Sequence, residues 1–490
     1  MQNVFRAALN QPRDRMAMPG TPGEGLQYQH VQRSGQKSGF LINRNFALLF
    51  GGSTISAIGD FVFNTTLVLW IAVELAPGQT WAPLAVSGVL VAAAVPVLLV
   101  GPLAGVFVDR WNKRATMLRV NVVQAVVVAA LLGASGIVAL PFLPGGRLPT
   151  LWTLGAIYAV VFLVNAANQF QNPAAVALIG DIVSEPELPR AMGLIQAMAA
   201  LATIIGPPLA APLLFAFGVQ WALVLNAGSF LVAFLAVLLV HAPKSAVSVP
   251  AGQRGHFWRE LGQGLAFFAR SRVLVTLVIA ACLVMLGGGA LNALDVFFVT
   301  GKDYLNQSPE VYGYVGAVNG FGILAGAIVA GALANKLGLT RLLWLALVLG
   351  GILVMVWSRM TLFIPALVVL LFIGMVQAGL NVATGPIVLD VTPRELVGRV
   401  IGILQPIITL ASLVAIALAG YLDSTVLNGF HLTVYGIQFH AVDTIFLAAG
   451  VLLLLGGLYA AIMLRGVKVG AAPPAETAAV TGASVASAAQ

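Results

Sequence analysis

From residue 46 to residue 464, long apolar runs alternate with short breaks of charge, glycine or proline, and the length of the runs decides what they are. A hydrocarbon layer about 30 Å thick takes roughly 20 apolar residues in a helix to cross. Read by that rule and by the breaks, the pattern predicts spans at Phe46 to Leu75, Trp81 to Val108, Ala115 to Leu140, Leu151 to Ile179, Ala191 to Phe217 and Gln220 to Val240. A polar stretch from Pro243 to Arg272 follows, and then six more spans: Val273 to Thr300, Val311 to Ala334, Thr340 to Trp357, Thr361 to Leu389, Leu396 to Leu422 and Ala441 to Leu464. The expected fold is therefore an all-α membrane protein of twelve transmembrane helices in two pseudo-symmetric six-helix halves, residues 44–241 and 273–465. Residues 242–272 read as a cytoplasmic linker, and residues 1–43 and 466–490 as disordered cytoplasmic tails, the first without the apolar core of a signal peptide. Within the linker, His256 to Arg270 mixes aromatics and charge at helical spacing. That fits a helix lying among lipid headgroups or a plain connection.

Composition closes off the soluble classes. Of 490 residues, 59% are hydrophobic and 9% charged, against about 25% charged in a soluble domain. The placement of the charges says more. Twenty-two of the 25 Lys and Arg fall in the tails, in the linker and in every second connection, leaving Arg147, Lys302 and Arg359 on the other side. By the positive-inside bias both termini are cytoplasmic and the protein is a multi-pass component of the cell (plasma or inner) membrane. The net charge of +8 suits an anionic membrane face rather than nucleic acid. The single cysteine, Cys282, lies in an apolar run, so neither a disulfide nor a cysteine metal site is expected, and no metal or other cofactor is implied.

The chain also repeats itself. A shift of 209 residues lays Asn168 on Gln377, Asn172 on Asn381, Asp181 on Asp390, Arg190 on Arg399, Gly193 on Gly402 and Gln196 on Gln405. A shift of 226 lays Gly105 on Gly331 and Asp109-Arg110 on Asn335-Lys336. Parallel six-helix repeats with a substrate site between them are a recurring transporter architecture.

Gly101-Pro-Leu-Ala-Gly105-Val-Phe-Val-Asp109-Arg110-Trp-Asn-Lys113-Arg114 resembles the signature between helices 2 and 3 of the major facilitator superfamily. Arg44-Asn-Phe-Ala-Leu-Leu-Phe, Ser56-Ala-Ile-Gly-Asp60, Phe257-Trp-Arg-Glu-Leu-Gly-Gln-Gly and the helix 5 pair Gly206-Pro207 are similar to the macrolide-efflux and enterobactin-exporter branch. The signature usually has Gly where Asn112 stands, and the efflux-type helix 5 motif two glycines where Ala210 and Ala211 stand; alanine remains small enough for close helix contact. The resemblance implies that Gly105, Asp109, Arg110, Lys113 and Arg114 help to latch the cytoplasmic side shut. A carboxylate at Asp109 could cap a neighbouring helix N-terminus. The pairs Asp181/Arg190 and Asp390/Arg399 are expected as ion pairs or caps at the same side.

With no cation left for the middle of a span, the polar residues there become informative. Ser56, Asp60 and Asn64 share a face of helix 1; Asn165, Asn168, Gln169 and Asn172 lie largely on one face of helix 4; Asn292 and Asp295 are three apart on helix 7; Gln377, Asn381 and Thr384 align on helix 10. The resemblance implies that these four helices line a central cavity, which makes the stripes candidate substrate contacts; gluing helices together is the competing role. Asp60 lies about 21 Å along its helix at ~1.5 Å per residue. There it has no cationic partner, at a depth where insertion costs ~2.5 to 3.5 kcal/mol. A carboxyl that is neutral when occluded and charged when wetted suits proton coupling; a protonated Asp60 hydrogen-bonded to Asn64 or to a neighbouring helix is the alternative. Asp295, seven residues before Lys302, reads as an outer gate or an interfacial carboxylate. Trp70, Phe61 and Phe63 offer either an aromatic substrate surface or packing, and Gly316, Gly320, Gly322 and Gly326 predict close approach of helix 8 to its neighbours.

These readings converge on a monomeric secondary transporter, not an enzyme, that exports neutral or cationic amphipathic small molecules by proton antiport. The partners are the bilayer and a small molecule, with the proton gradient as energy source. Siderophore export or lysophospholipid flipping on the same fold is the alternative, and a transport-inactive membrane sensor a more remote one. No Walker loop or filter is present to support a pump or channel, and the five histidines are scattered. The charge map is directly testable. A reporter phosphatase active only outside the cytoplasm should be active when fused after Lys302 and silent when fused after Arg465; activity at both sites would break the twelve-span topology.

Overall fold

Hydrocarbon offers the backbone no partner, so each span must satisfy its own N–H and C=O groups, and the helix does this within one segment. The computed structural model describes residues 42–108, 110–134, 148–241, 267–393 and 396–466. Among these residues twelve helices are long and apolar enough to cross a membrane. In the N-terminal half they are α1 Arg44–Leu75, α2 Ala82–Leu99, α3 Lys113–Gly133, α4 Thr150–Ile182, α5 Glu185–Phe217 and α6 Val219–Leu239. In the C-terminal half they are α7 Arg272–Thr300, α8 Pro309–Leu337, α9 Leu339–Trp357, α10 Phe363–Val391, α11 Gly402–Val426 and α12 Ala441–Met463. An even number of crossings leaves the start of α1 and the end of α12 at one end of the bundle, called here the terminal end; the opposite one is the far end.

Most boundaries fall within a few residues of expectation, and the exceptions have local causes. The second span is broken: α2 stops at Leu99, and a short helix, Gly101–Val108, continues it. Pro96 lies inside the helix before the break and Pro102 at the start of the next piece, each removing a backbone donor. The expected end of span 3 beyond residue 134, Asp109, most of the linker and both tails lie outside the described residues. Of the proposed headgroup helix only residues 267–270 are described; they form a helical turn whose Phe268 is buried in the C-half core. A hairpin absent from the sequence reading, β1 Leu432–Val434 paired with β2 Ile437–Phe439, precedes α12. Arg359 holds it at the end of α9: one guanidinium nitrogen bonds Asp443 Oδ2 at 2.6 Å, another the Gln438 carbonyl at 2.9 Å, and the plane lies over Phe439.

The repeat is visible in the backbone. π-helical turns close α5 at Leu213–Phe217 and α11 at Leu422–Val426, and the two are 209 residues apart, the register read from the sequence. Each half has its own core. One cluster gathers Leu277, Leu294, Phe298, Trp357 and Phe446 from the C-terminal half, and another Phe63, Leu67, Trp70, Ile157 and Phe230 from the N-terminal half. Trp70 and Phe63 are thus packing residues rather than a substrate surface, and Phe61 packs against Gly206 of α5. Outside the cores, Val126, Ile328, Ile364 and Ile462 are each more than 60% exposed, a coat that water would penalise and lipid accepts.

Within a half, small residues let backbones meet. A Cβ on Gly351 of α9 would stand 2.5 Å from Leu454 N and 2.7 Å from Gly450 O of α12. Overpacking such a contact costs about 1–3 kcal/mol. Gly351→Leu should therefore lower the thermal midpoint in detergent, whereas Gly133→Ala, with nothing within 4 Å of the added carbon, should leave it unchanged.

Candidate functional site

The two halves meet along two seams. In the first, Gly313 of α8 packs on Pro207 and Pro208 of α5, Gly316 on Pro207, and Gly320 on Thr203 and Ile204. In the second, Gly420 of α11 packs on Ser87 and Pro83 of α2, and one step further out Leu84 N donates to Ser424 Oγ at 3.0 Å. Both seams occupy the far-end part of their helices. The helix 5 motif has two distinct tasks: Gly206 lets α5 touch α1 at Phe61, while Pro207 faces across the divide to α8. Ala210 and Ala211, where the motif usually has glycine, are fully buried in the N-terminal half.

The terminal end differs. Gly193 of α5, Gly331 of α8 and Gly402 of α11 have nothing within 4 Å of a built Cβ. Two of the signature cations are engaged inside the N-terminal half. Lys113 bonds Asp181 of α4 at 3.0 Å, and Arg114 caps the end of α6 through the carbonyls of Val237 at 3.2 Å and Leu238 at 2.6 Å. Gly105 lies in the short helix after α2, Arg110 is exposed beyond it, and Asp109 lies outside the described residues. Asp181 takes Lys113, an ion-pair partner the sequence reading had not assigned it. Arg190 is exposed in the first turns of α5, Asp390 exposed at the end of α10, and Arg399 sits in the helical turn leading into α11. The arrangement is a bundle closed at the far end and parted at the terminal end.

The candidate site is made of the polar side chains of α1, α4, α7 and α10. Asn64, Asn172, Asn292, Gln377 and Asn381 are exposed within the bundle's spans, where amides have value only toward a wet space or a polar ligand. Ser56 is half-buried on α1. Asn165, Asn292 and Thr384 donate to the carbonyls of Val161, Gly288 and Leu380 four residues back on their own helices. Two stripe members are already committed elsewhere. Asn168 Oδ1 accepts from Gln124 of α3 at 2.7 Å, a helix-gluing contact, and Gln169 bonds the Asn165 carbonyl and packs against Gly101.

Asp60 sits at the middle of α1, half-buried, with Oδ1 sealed. The group facing it is Asn226 of α6, not Asn64. Ser229 donates to Asn226 Oδ1 at 3.3 Å, which leaves the amide nitrogen for the carboxyl; Asp60 Oδ1 and Asn226 Nδ2 nevertheless stop short of a well-formed bond. Gly59 makes the approach possible, since a Cβ there would stand 2.5 Å from Ser229 Oγ. Asp295 is likewise half-buried with a sealed Oδ1, facing the indole of Trp357. An interfacial carboxylate would be open to water, so that reading of Asp295 is corrected. Gln124, Asn226 and Trp357 escaped the sequence reading because they lie on α3, α6 and α9. A polar or indole group inside an apolar span was the available signal.

Comparison with known proteins agrees with this geometry. The profile described as Major Facilitator Superfamily matches residues 49–304 and again 291–488, and the chain belongs to that family. The uncharacterized MFS-type transporter YfiS of Bacillus subtilis is 24% identical over 444 residues, covering 89% of this chain and 96% of that protein. Macrolide efflux protein A of Streptococcus pyogenes is 22% identical over 290 residues, 59% of this chain and 67% of that protein. Among solved structures, a bacterial homologue of the iron transporter ferroportin in an inward-facing state superposes with a TM-score of 0.65 at 14% identity, over 84% of this chain and 98% of that one. The nucleoside transporter NupG gives 0.63 at 12% identity, over 86% and 99%. These superpositions speak to the fold.

The uncovered Gly193, Gly331 and Gly402 leave room for a closer approach at the terminal end, and a bulky side chain there tests whether that approach occurs. Gly402→Leu should fold with an unchanged thermal midpoint yet prevent the terminal end from closing. A cysteine introduced near that end should then remain open to a bulky thiol reagent under conditions that protect it in the parent.

Proposed function

We propose that this member of the Major Facilitator Superfamily exports neutral or cationic amphipathic small molecules of the macrolide type by proton antiport. In this reading it lies in the cell membrane with both termini in the cytoplasm and works as a monomer. The observation that carries the proposal is the set of exposed amides on α1, α4, α7 and α10, beside a mid-span acid and with no Lys or Arg in the span centres. Small anions would want an Arg clamp; amides and acids suit neutral or cationic guests. The similarity to macrolide efflux protein A supports the substrate class.

Alternating access needs two closures that exclude one another, and the halves carry surfaces for both. With the terminal end parted, substrate from the cytoplasmic leaflet reaches Asn64, Asn172, Asn292, Gln377 and Asn381. With Lys113 and Arg114 rearranged and the glycines of α5, α8 and α11 covered, that end latches and the far seams part. Asp60 supplies the coupling. Ionised, it stabilises a cationic guest and a wet cavity; protonated, it tolerates the occluded state in which a lone carboxylate would cost several kcal/mol. Asn226, oriented by Ser229, offers an amide N–H to the ionised form.

Proteoliposomes with an imposed proton gradient test the assignment. Asp60→Asn should lower gradient-driven transport at least tenfold while leaving labelled-substrate counterflow measurable. Full gradient-driven transport in the variant would remove Asp60 from the coupling. Accumulation assays with macrolides, siderophores and lysophospholipids, with and without the protein, decide the cargo: an effect confined to lysophospholipids would replace the drug-export reading with flipping.

A further inference from the structure

The export mechanism above uses one of the two sealed mid-bundle acids. The other, Asp295, lies five residues before the end of α7. Trp357 faces it from the end of α9, and Tyr312 from the start of α8. Its Oδ1 and the Trp357 indole nitrogen are both buried without a well-formed hydrogen bond, and neither described ion pair includes it.

Its position relative to the divide is unusual. Val296, the next residue, is fully buried in the core of the N-terminal half, and Phe297 and Tyr312 bridge that core and the core of their own half. The residue after Tyr312 is Gly313, the glycine that seats on Pro207 and Pro208. On its own helix and on α8, then, side chains one step from the acid or touching it cross from one half to the other. The core they enter is built from apolar side chains.

The geometry points to Asp295 as a second proton-binding residue, one that ties the closing of the far-end seam to proton uptake and its opening to proton release. While the halves are pressed together, an ionised Asp295 would be sealed without a partner, at a cost of several kcal/mol. Parting the seam withdraws Val296, Phe297 and Tyr312 from the opposite core and admits water. The carboxylic O–H bond then breaks and the proton leaves to water on the far side, with no other group changing state. The closed form binds one proton more than the open form, so opening is favoured as pH rises. Linkage through one proton sets the limit: the open-to-closed ratio changes by up to about tenfold per pH unit. The role in transport rests on the proton-antiport reading, but the switch itself does not require a substrate.

The test is a distance measured across the far end. With Cys282→Ala as background, spin labels at Gln79→Cys in the α1–α2 turn and Tyr435→Cys in the hairpin, both exposed positions, report the seam in lipid nanodiscs as pH is varied. The parent should show a rising long-distance population with pH. Asp295→Asn should abolish that rise and keep the short distance, and Asp295→Glu should restore it with a displaced midpoint. A pH-independent parent, an Asp295→Asn profile equal to the parent's, or an undisplaced Asp295→Glu midpoint would each overturn the proposal; the last also serves if the Asn variant does not fold. No substrate or gradient is present, so a failed export assay beside an intact Asp295-dependent profile would count against the export reading alone.

Discussion

An ionised or unpaired polar group is expensive in hydrocarbon, and almost every feature of this protein follows from that cost. It forces the backbone into twelve self-satisfied helices and drives the cations to the ends of the bundle. It also makes each polar group left inside a span conspicuous. Besides the exposed amides of the candidate site, those that remain are of two kinds. Some are spent on structure, as where Gln124 clamps Asn168 between α3 and α4. Others are held without a good partner, as with Asp60 and Asp295. The first kind stabilises a half. In the mechanism proposed above, the second kind makes one conformation of the pair of halves dependent on the protonation state of the carboxyl.

The protein uses the same means for contact within a half and between the halves. Gly351 and Gly450 bring α9 and α12 together inside one half, while Gly313 and Gly420 bring α8 and α11 onto the other half. What separates the two cases is what surrounds them. Inside a half the glycine contact is backed by a broad apolar core. Between halves it is made on Pro207, Pro208, Ile204, Ser87 and Pro83, with Val296 as a fully buried side chain that α7 sends into the opposite core. In the mechanism proposed above, these contacts are exchanged for others at the terminal end, where Gly193, Gly331 and Gly402 stand uncovered.

At the termini of the helices the charges do local work. Arg114 caps α6, Asn43 bonds Phe46 N at the start of α1, and Arg359 pins Asp443 and the hairpin at the start of α12. Such contacts tie neighbouring helices together within each half.

The chain by itself determined the number of spans, the bias of the cations and the 209-residue repeat, because these depend on residue type and spacing along one helix. It also drew attention to Asp60 and to the amides of helices 1, 4, 7 and 10, since a polar group in an apolar run is visible without knowing its neighbours. It could not say that Asp60 looks toward Asn226, that Asn168 is taken by Gln124, that Trp70 and Phe63 are core, or that Asp295 lies behind the far seam. Each of these is a relation between helices far apart in sequence. Among apolar side chains that hydrocarbon and protein interior accept equally, periodicity cannot tell which face meets lipid, which meets a helix and which meets the cavity. Close packing decides that, and it acts only once the helices are together.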